Sequence, residues 1–194
     1  MYIHNTMVRR IINWIGKVIG KYPLVYAPIP SDSNIMFSRR DRDNFGFLSN
    51  FYPSKIQINE AVWPDVEHYY QSEKSTDAEY HAVVMNASSP GKAKRLGDSR
   101  IESSKMAKQS WFRKRPDLLR TDWNEIKLLV MKRAIWAKFT QNQDLRKMIL
   151  ATKEAILIED SQTDSFWGWG RDKNGENNLG KLLMEVRNGF HKKS

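Results

Sequence analysis

Helical periodicity is the strongest structural signal in this sequence, and its strand-like runs are all short. In residues 7–19 apolar side chains recur at the spacing of one helix face, and Gly20 ends the segment. The same period runs from Trp123 to Ala137, behind Thr121 or Asp122 as the predicted N-cap. The strand-like runs are Ile35–Phe37, Lys55–Ile58, Val62–Pro64 and Ile156–Ile158. The chain is therefore predicted to be an α+β protein in which helices dominate around a small sheet.

Cap and turn residues indicate where the other elements begin and end. Asp65 is predicted to cap a helix with acidic residues in its first turn, and Pro90 opens a short helix that Gly97 ends. A further helix, a loop rich in Gly, Trp and Asn, and a closing helix are predicted at Leu145–Leu150, Ser161–Asn178 and Leu179–Asn188. A length of 194 residues fits a single domain. We place that domain at about residues 35–190, after an N-terminal amphipathic helix and a Pro-rich connector in residues 1–34.

The residue types that are rare or missing exclude several chemistries. The chain has no cysteine, which excludes disulfides, a thiol nucleophile and metal sites built on thiolates. It has only four histidines, so we expect no metal site, and no cofactor is predicted. No apolar run approaches the roughly 18 residues of a membrane span, and the start lacks the pattern of a secretory leader. We therefore expect a cytoplasmic protein without stable membrane association; the sequence carries no signal for its oligomeric state.

The positive charge of the chain is concentrated in one stretch. The formal net charge is +10. Residues 61–90 hold five acidic residues against a single lysine, whereas residues 91–120 hold ten basic residues against three acidic ones. This asymmetry suits a partner that carries phosphate groups, and a solvated basic surface is the alternative. The helix at residues 7–19 is also basic. We expect it to pack on its own domain or on a partner chain rather than to bind a membrane surface.

A first candidate site is the stripe formed by Glu67, Gln71 and Lys74. These residues are spaced i, i+4 and i+7, so they share one helix face. Such a stripe is commonly solvated surface. Here it follows the apolar segment Val62–Pro64 and is surrounded by aromatic side chains. In that setting a carboxylate and an amine can tune each other's pKa, as acid–base or Schiff-base chemistry requires.

A second candidate site is the loop from Asp164 to Gly170, together with Gly175–Gly180. Its glycines permit close approach of the backbone to a ligand, and its tryptophans can stack on a base. Asn177 lies near the start of the last helix, so its side chain has two possible roles, as the N-cap of that helix or as a ligand contact. Trp123 is a third candidate, although a Trp that opens an amphipathic helix commonly belongs to the core.

Several short motifs occur in one order along about residues 35–190. They are Phe47–Phe51; Trp63-Pro64 with Glu67, His68, Tyr69, Gln71 and Lys74; Ser88–Pro90; Ala93, Arg95 and Gly97; Trp123, Lys127, Val130 and Met131; Lys138-Phe139; Asp164, Trp167 and Gly168; and Gly175, Asn177, Leu179, Gly180 and Leu182–Met184. Together, and in this order, they resemble the NADAR family, which includes the YbiA-like N-glycosidases.

The resemblance implies a hydrolase that cleaves an N-glycosidic bond. Family members remove ADP-ribose from guanine bases in nucleic acid, or act on ribosylamino-pyrimidine phosphates of riboflavin synthesis. The net charge favours the first substrate class, and a non-catalytic module that binds ADP-ribose or nucleic acid is the competing class. The family's functional positions fall on Glu67, Trp123, Asp164, Trp167 and Asn177, and Lys74 matches a motif lysine. Asn50 and Gly168 of the same motifs are further candidates for substrate binding.

The chemistry of glycoside cleavage gives these residues hypothetical roles. Positive charge develops at C1′ of the ribose, so a nearby carboxylate stabilises the transition state. We assign the acid–base role to Glu67 and a ribose-binding or electrostatic role to Asp164, and expect both within about 10 Å of one cleft. Lys74 would attack the opened sugar at C1′ as an imine-forming amine. Trp123 and Trp167 would hold the base or sugar, and Asn177 would bind a ribose or phosphate oxygen.

The chain departs from the family pattern at three places. Glu60 stands where the family tends to place Gly, and Asp98 stands where it often has Arg, a residue that would bind phosphate. About residues 98–120 form an insertion relative to compact members, with basic residues around Trp111 and Phe112. Such a composition suits contact with single-stranded nucleic acid, and a solvated loop pinned by two buried rings is the equal alternative.

Overall fold

Helices make up most of the protein. The structure, a computed structural model, describes residues 33–38, 45–98 and 109–191. In chain order the helices and strands are β1 Asn34–Phe37, β2 Ile56–Ile58, β3 Ala61–Trp63, α1 Val66–Ser72, α2 Ala78–Met85, α3 Pro90–Leu96, α4 Trp123–Gln141, α5 Gln143–Ala151, β4 Ile156–Glu159 and α6 Asn178–His191. The predicted helix-dominated α+β class is confirmed. The predicted helix at residues 7–19, the connector up to residue 32 and residues 99–108 of the insertion lie outside the described residues.

The four described strands form two separate pairs. β1 and β4 run parallel, with Asn34 opposite Ile156 and Phe37 opposite Glu159. β2 and β3 form an antiparallel hairpin. Its turn takes a left-handed conformation at Asn59, whose φ is 55°, and not at Glu60. Asparagine tolerates that conformation, so the turn does not need a glycine at position 60.

Side-chain caps begin two of the helices that form the site, and the longest described helix lacks one. The Asp65 carboxylate accepts a hydrogen bond from the His68 N–H at 2.9 Å, which confirms the predicted start of α1. Ser89 caps α3, ahead of Pro90 at its first position. Asp122 is the N-cap residue of α4, one of the two predicted, but it does not cap the helix with its side chain. The carboxylate of Asp122 makes no capping bond, because it binds the Arg120 guanidinium at 2.7 Å instead.

The main hydrophobic core lies between α4, α6 and the two strand pairs. Its fully buried side chains include Phe37, Ile56, Met131, Ala134, Ile135, Leu157 and Leu183. Lys138 of α4 is buried in the same region, where its ammonium donates to the backbone oxygen of Ser49 at 2.8 Å. Burial lowers the pKa of Lys138 to about 7. None of the described helices combines the length and the apolar character that crossing a membrane requires.

A smaller second core fixes the end of the insertion. It joins α2 and α3 to the segment after residue 109 through Tyr80, Val84, Ala93 and Phe112. Phe112 is fully buried, and Trp111 packs against this cluster. Phe112 therefore cannot stack on a base, whereas Trp111 is half-buried, and the nucleic-acid contact of this basic segment stays a prediction. Burial of apolar surface explains Phe112, as the solvated-loop alternative supposed, and Trp111 only in part.

Candidate active site

One open cavity of about 940 Å³ lies between α1, the end of α3, the start of α4 and the loop after β4. Six of the eight residues proposed from the sequence line it: Asn50, Glu67, Lys74, Trp123, Asp164 and Trp167. The structure thus brings the α1 stripe and the Trp-rich loop, which are far apart in sequence, to one place. Both candidate carboxylates face this cavity.

Glu67 is a buried acid at the cavity wall. Its side chain is only 4% exposed, and its Oε1 accepts a hydrogen bond from Nε2 of Gln71 at 2.8 Å. Burial raises the pKa of the Glu67 carboxyl above its ordinary value. The positive charges of Lys94 and Lys74 and the Gln71 hydrogen bond oppose that rise without cancelling it. Such a group retains its proton to higher pH than an exposed glutamate, as a general acid must.

Lys74 is held at the far end of the same stripe. Its Nζ donates to the backbone oxygen of Gly97 at 2.6 Å. The same atom lies 5.7 Å from the ring centres of both Tyr70 and Trp123, within the range of cation–π attraction. An amine fixed between two rings and a carbonyl has a defined direction of approach to a ligand in the cavity.

Three aromatic side chains form one wall of the cavity. The centre of the Tyr70 ring lies 5.0 Å from the ring centre of Trp123 and 5.4 Å from that of Trp167. Burial raises the pKa of Tyr70 far above its ordinary value, so its hydroxyl stays protonated at neutral pH. This wall offers flat surface for a base and a neutral hydroxyl for a polar contact.

Asp164 shapes the turn that carries Trp167. Its Oδ1 accepts from the backbone N–H groups of Phe166 at 3.2 Å and Trp167 at 2.9 Å. One carboxylate oxygen therefore holds the turn in place. The other has no hydrogen-bond partner among the described residues, which leaves it available to a ribose hydroxyl.

Gly168 and Asn177 do not line the cavity. A Cβ atom at position 168 would lie 2.6 Å from the backbone oxygen of Glu159, so glycine is required there for the loop to pack on β4. Asn177 binds β4 with both ends of its amide: Oδ1 accepts from the Glu159 N–H at 3.0 Å, and Nδ2 donates to the Leu157 oxygen at 2.9 Å. These bonds direct the amide to β4, away from the cavity, so the structure gives no support to the expected ribose or phosphate contact.

The family assignment follows from sequence comparison. The model of the NADAR domain matches residues 36–191. This chain belongs to the NADAR family. N-glycosidase YbiA of Escherichia coli is 38% identical over 145 residues, which cover 75% of this chain and 81% of that protein.

A solved structure and a plant protein extend the comparison. The NMR structure of E. coli YbiA matches with a TM-score of 0.67 and 32% sequence identity, covering 85% of this chain and 95% of that chain. The riboflavin biosynthesis protein PYRR of Zea mays is 38% identical over 169 residues, which are 81% of this chain but 25% of that protein. The NADAR chain described here is a hydrolase that acts on N-glycosyl bonds.

Sequence reasoning missed several residues of the NADAR site. Lys94 and Lys127 line the cavity beside Tyr70 and Gln71. Both lysines lay in stretches of mixed charge, where nothing local separates a ligand contact from a solvated side chain. Tyr70 lay inside the recognised α1 motif without being assigned a role, whereas the helical period had already placed Gln71 on the face of Glu67 and Lys74.

His68 fixes the orientation of the helix that carries Glu67. Its Nδ1 lies 2.8 Å from Oδ1 of Asp65, and its Nε2 lies 3.0 Å from the Ala87 oxygen. Burial lowers the pKa of His68, but the hydrogen bond and charge of Asp65 raise it by more, so the net pKa lies above the ordinary value. Because both partners are acceptors, the ring must carry both protons to satisfy them.

Proposed function

We propose that this NADAR chain removes ADP-ribose from guanine bases in nucleic acid. The observation that carries the proposal is the buried Glu67 carboxyl in a cavity of about 940 Å³. Ligand cavities commonly span roughly 300–1,000 Å³, so this one is at the upper end of the range. Its size suits a nucleotide-sized group with two phosphates better than a single ribose phosphate.

Glu67 protonates the leaving base in the proposed reaction. As the bond between C1′ and the base nitrogen breaks, its electron pair stays with the base and takes the carboxyl proton. Water adds to C1′ and gives ADP-ribose its new hydroxyl. The Glu67 carboxylate that remains stabilises positive charge on the ribose and accepts the proton of that water.

The other cavity residues bind the substrate in this proposal. The Tyr70, Trp123 and Trp167 rings hold the base or the adenine by stacking. Asp164 binds ribose hydroxyls through its available oxygen. Lys94 and Lys127 provide positive charge for the diphosphate. Asp98, also on the cavity wall, takes the place of a family arginine, so the phosphates must rely on these lysines.

A covalent version of the reaction uses Lys74. Its amine attacks C1′, the base leaves with a proton, and the ribose ring opens to an imine that water hydrolyses. Borohydride reduces an imine to a stable secondary amine. Treatment during turnover should therefore leave an ADP-ribose-derived adduct on the Lys74 peptide, detected by mass spectrometry, and Lys74→Arg should show none. Wild-type turnover without any trapped adduct would favour direct attack by water.

Ribosylamino-pyrimidine phosphates are the second candidate substrates. The observation that favours them is the name of the Zea mays relative, a riboflavin biosynthesis protein of 38% identity. Such a substrate carries one phosphate on a ribose, and the same Glu67 chemistry would apply to it.

The deciding experiment compares both substrates with matched variants. An oligonucleotide ADP-ribosylated on guanine and a ribosylamino-pyrimidine phosphate are each incubated with wild type, Glu67→Gln and Glu73→Gln. Glu73→Gln is the control, because it removes a carboxyl just beyond α1 that does not line the cavity. We expect wild type and Glu73→Gln to release ADP-ribose, and Glu67→Gln to lose the activity. Release from the second substrate alone would replace the proposal by the riboflavin candidate, and tight binding without release would indicate the non-catalytic module.

A further inference from the structure

The Gln71 amide donates a hydrogen bond to Glu67 on one side and packs against the backbone of Gly97 on the other. Its Nε2 donates to Glu67 at 2.8 Å, while its Oε1 is buried and has no hydrogen-bond partner within residues 33–38, 45–98 and 109–191. The side chain as a whole is only 4% exposed. A buried acceptor without a partner is costly, so this amide orientation is maintained at the expense of stability. That cost indicates that the contact with Glu67 serves the site.

Gly97 supplies the space that holds the Gln71 amide in this position. A Cβ atom at residue 97 would overlap Oε1 of Gln71 and lie 3.0 Å from the Tyr80 hydroxyl oxygen. The backbone of Gly97 has φ −88°, a conformation that any residue adopts. Glycine is therefore needed here for space rather than for its conformational freedom.

The same glycine also binds the candidate amine. The Gly97 oxygen accepts from Nζ of Lys74, and the Tyr80 hydroxyl that borders Gly97 donates to the Gln71 backbone oxygen at 2.8 Å. One residue at the end of α3 thus sets the position of two groups on α1 and just after it. Glu67 and Lys74 are held at a fixed distance by a connection that runs through Gln71 and Gly97.

We propose that Gln71 is a positioning residue that fixes the Glu67 carboxyl relative to the Lys74 amine. The space left by the missing side chain at Gly97 holds Gln71 in this position. The inference rests on the proposed function, because it gives these two groups a purpose in the same site. Neither Gln71 nor Gly97 has to touch the substrate for this role.

Removal of the Gln71 donor should change the protonation of Glu67 in a predictable direction. The charged and titratable groups around Glu67 are Lys94 on α3, Lys74 after α1, Asp65 at the start of α1 and the adjacent His68. A change at Gln71 removes none of these charges, and Gly97→Ala keeps the backbone oxygen that binds Lys74. The Gln71 hydrogen bond lowers the pKa of Glu67, so its loss must raise that pKa further.

The test measures the Glu67 pKa directly by carbon-13 NMR titration of its carboxyl group, assigned with Glu67→Gln. Gln71→Met keeps the side-chain length and removes the donor. Gly97→Ala displaces the Gln71 amide. Gly91→Ala is the matched control on α3, because a Cβ atom there would meet its nearest neighbour at an ordinary 3.6 Å. We expect both site variants to raise the pKa of Glu67 and the control to leave it unchanged.

The double variant makes the role of Gly97 testable. Gly97→Ala should raise the pKa of Glu67 no further in the Gln71→Met background, because methionine has no donor to displace. An unchanged Glu67 pKa in either single variant, or additive shifts in the double variant, would overturn the proposal. The NMR readout needs no substrate, so it stands even where the assay for base release fails. Where the assay succeeds, Gln71→Met should reduce release roughly 10- to 100-fold.

Discussion

At the scale of single residues, the burial of Glu67 should cost stability while it serves catalysis. Because its pKa is raised in the fold, the folded protein holds this proton to higher pH than the unfolded chain does. Stability therefore falls as pH rises from the ordinary carboxyl range through the raised pKa. Glu67→Gln should lower the rate of base release roughly 100-fold or more. Near pH 8 the same variant should have a higher urea midpoint of unfolding than wild type. Near pH 4 the two urea midpoints should converge, and a variant that is less stable at both pH values would contradict this account.

Lys138 has the opposite linkage to pH. Its pKa is lowered to about 7, so the unfolded chain binds this proton more tightly than the fold does. The cost of burying the ammonium is present below that pKa and is relieved as pH rises through it towards the ordinary value. Lys138→Met should therefore gain most relative to wild type in urea unfolding near pH 6, and least near pH 9.

The control for Lys138 is Lys147→Met on α5, whose side chain is 70% exposed. Its stability difference from wild type should not vary with pH in this range. Parallel pH profiles for Lys138→Met and wild type would show that the buried amine stays charged in the fold, as in the unfolded chain, over this pH range, and would contradict the lowered pKa.

Residue types and helical period were enough to predict most of the candidate site. Glu67 and Lys74 were recognisable because an i, i+4, i+7 stripe followed an apolar segment. Gly168 and Asn177 were predicted in the site from the composition of the loop after β4 and from the family resemblance. Their actual role is contact with the backbone of β4, and no sequence pattern distinguishes an amide that binds a neighbouring strand from one that binds a ligand.

At the scale of elements, the loop after β4 is attached to that strand by Asn177. Asn177 has φ 51°, a left-handed conformation that asparagine tolerates better than most residues. Asn177→Ala leaves the Glu159 N–H and the Leu157 oxygen without their partner, so we expect a loss of about 1–3 kcal/mol in the free energy of unfolding.

Kinetics separate this structural role of Asn177 from ligand binding. The KM of the folded Asn177→Ala variant should stay close to wild type in base-release assays, since the amide points to β4. Asn177→Gly, which tolerates the same φ, is the control for backbone strain and should lose nearly as much stability. A large rise in KM at unchanged stability would restore the residue to the binding site.

Local signals predicted the elements but not how they pair. The start of α1 at Asp65 and the limits of α3 followed from capping residues, and all four strands were short apolar runs. The parallel pairing of β1 with β4 joins opposite ends of the domain, and nothing in either run specifies its partner. The sequence also did not predict that Asp122, the N-cap residue of α4, makes no capping bond with its side chain, because its carboxylate pairs with Arg120 instead.

At the scale of the whole molecule, the charge of +10 should appear in the salt dependence of the reaction. The rings of the insertion are used in packing, so any attraction to a nucleic-acid backbone must come from cations such as the exposed Arg113 and Lys114. Phosphate contacts release counterions, and binding to single strands weakens with salt in proportion to their number. A free ADP-ribosylated guanine nucleotide makes none of the flanking contacts. Its hydrolysis should therefore depend much less on salt than that of an oligonucleotide.

Removal of two cations tests this assignment of the charge. Arg113→Gln combined with Lys114→Gln should raise KM for the oligonucleotide and reduce its log–log salt slope by roughly one, and leave the nucleotide unaffected. The control is Lys147→Gln with Lys181→Gln, which removes equal charge from exposed positions on α5 and α6 that do not line the cavity. Equal effects of the two pairs would mean that only net charge matters. No salt dependence beyond that of the nucleotide would leave the positive charge without a part in substrate binding and would favour the small ribosylamine phosphates.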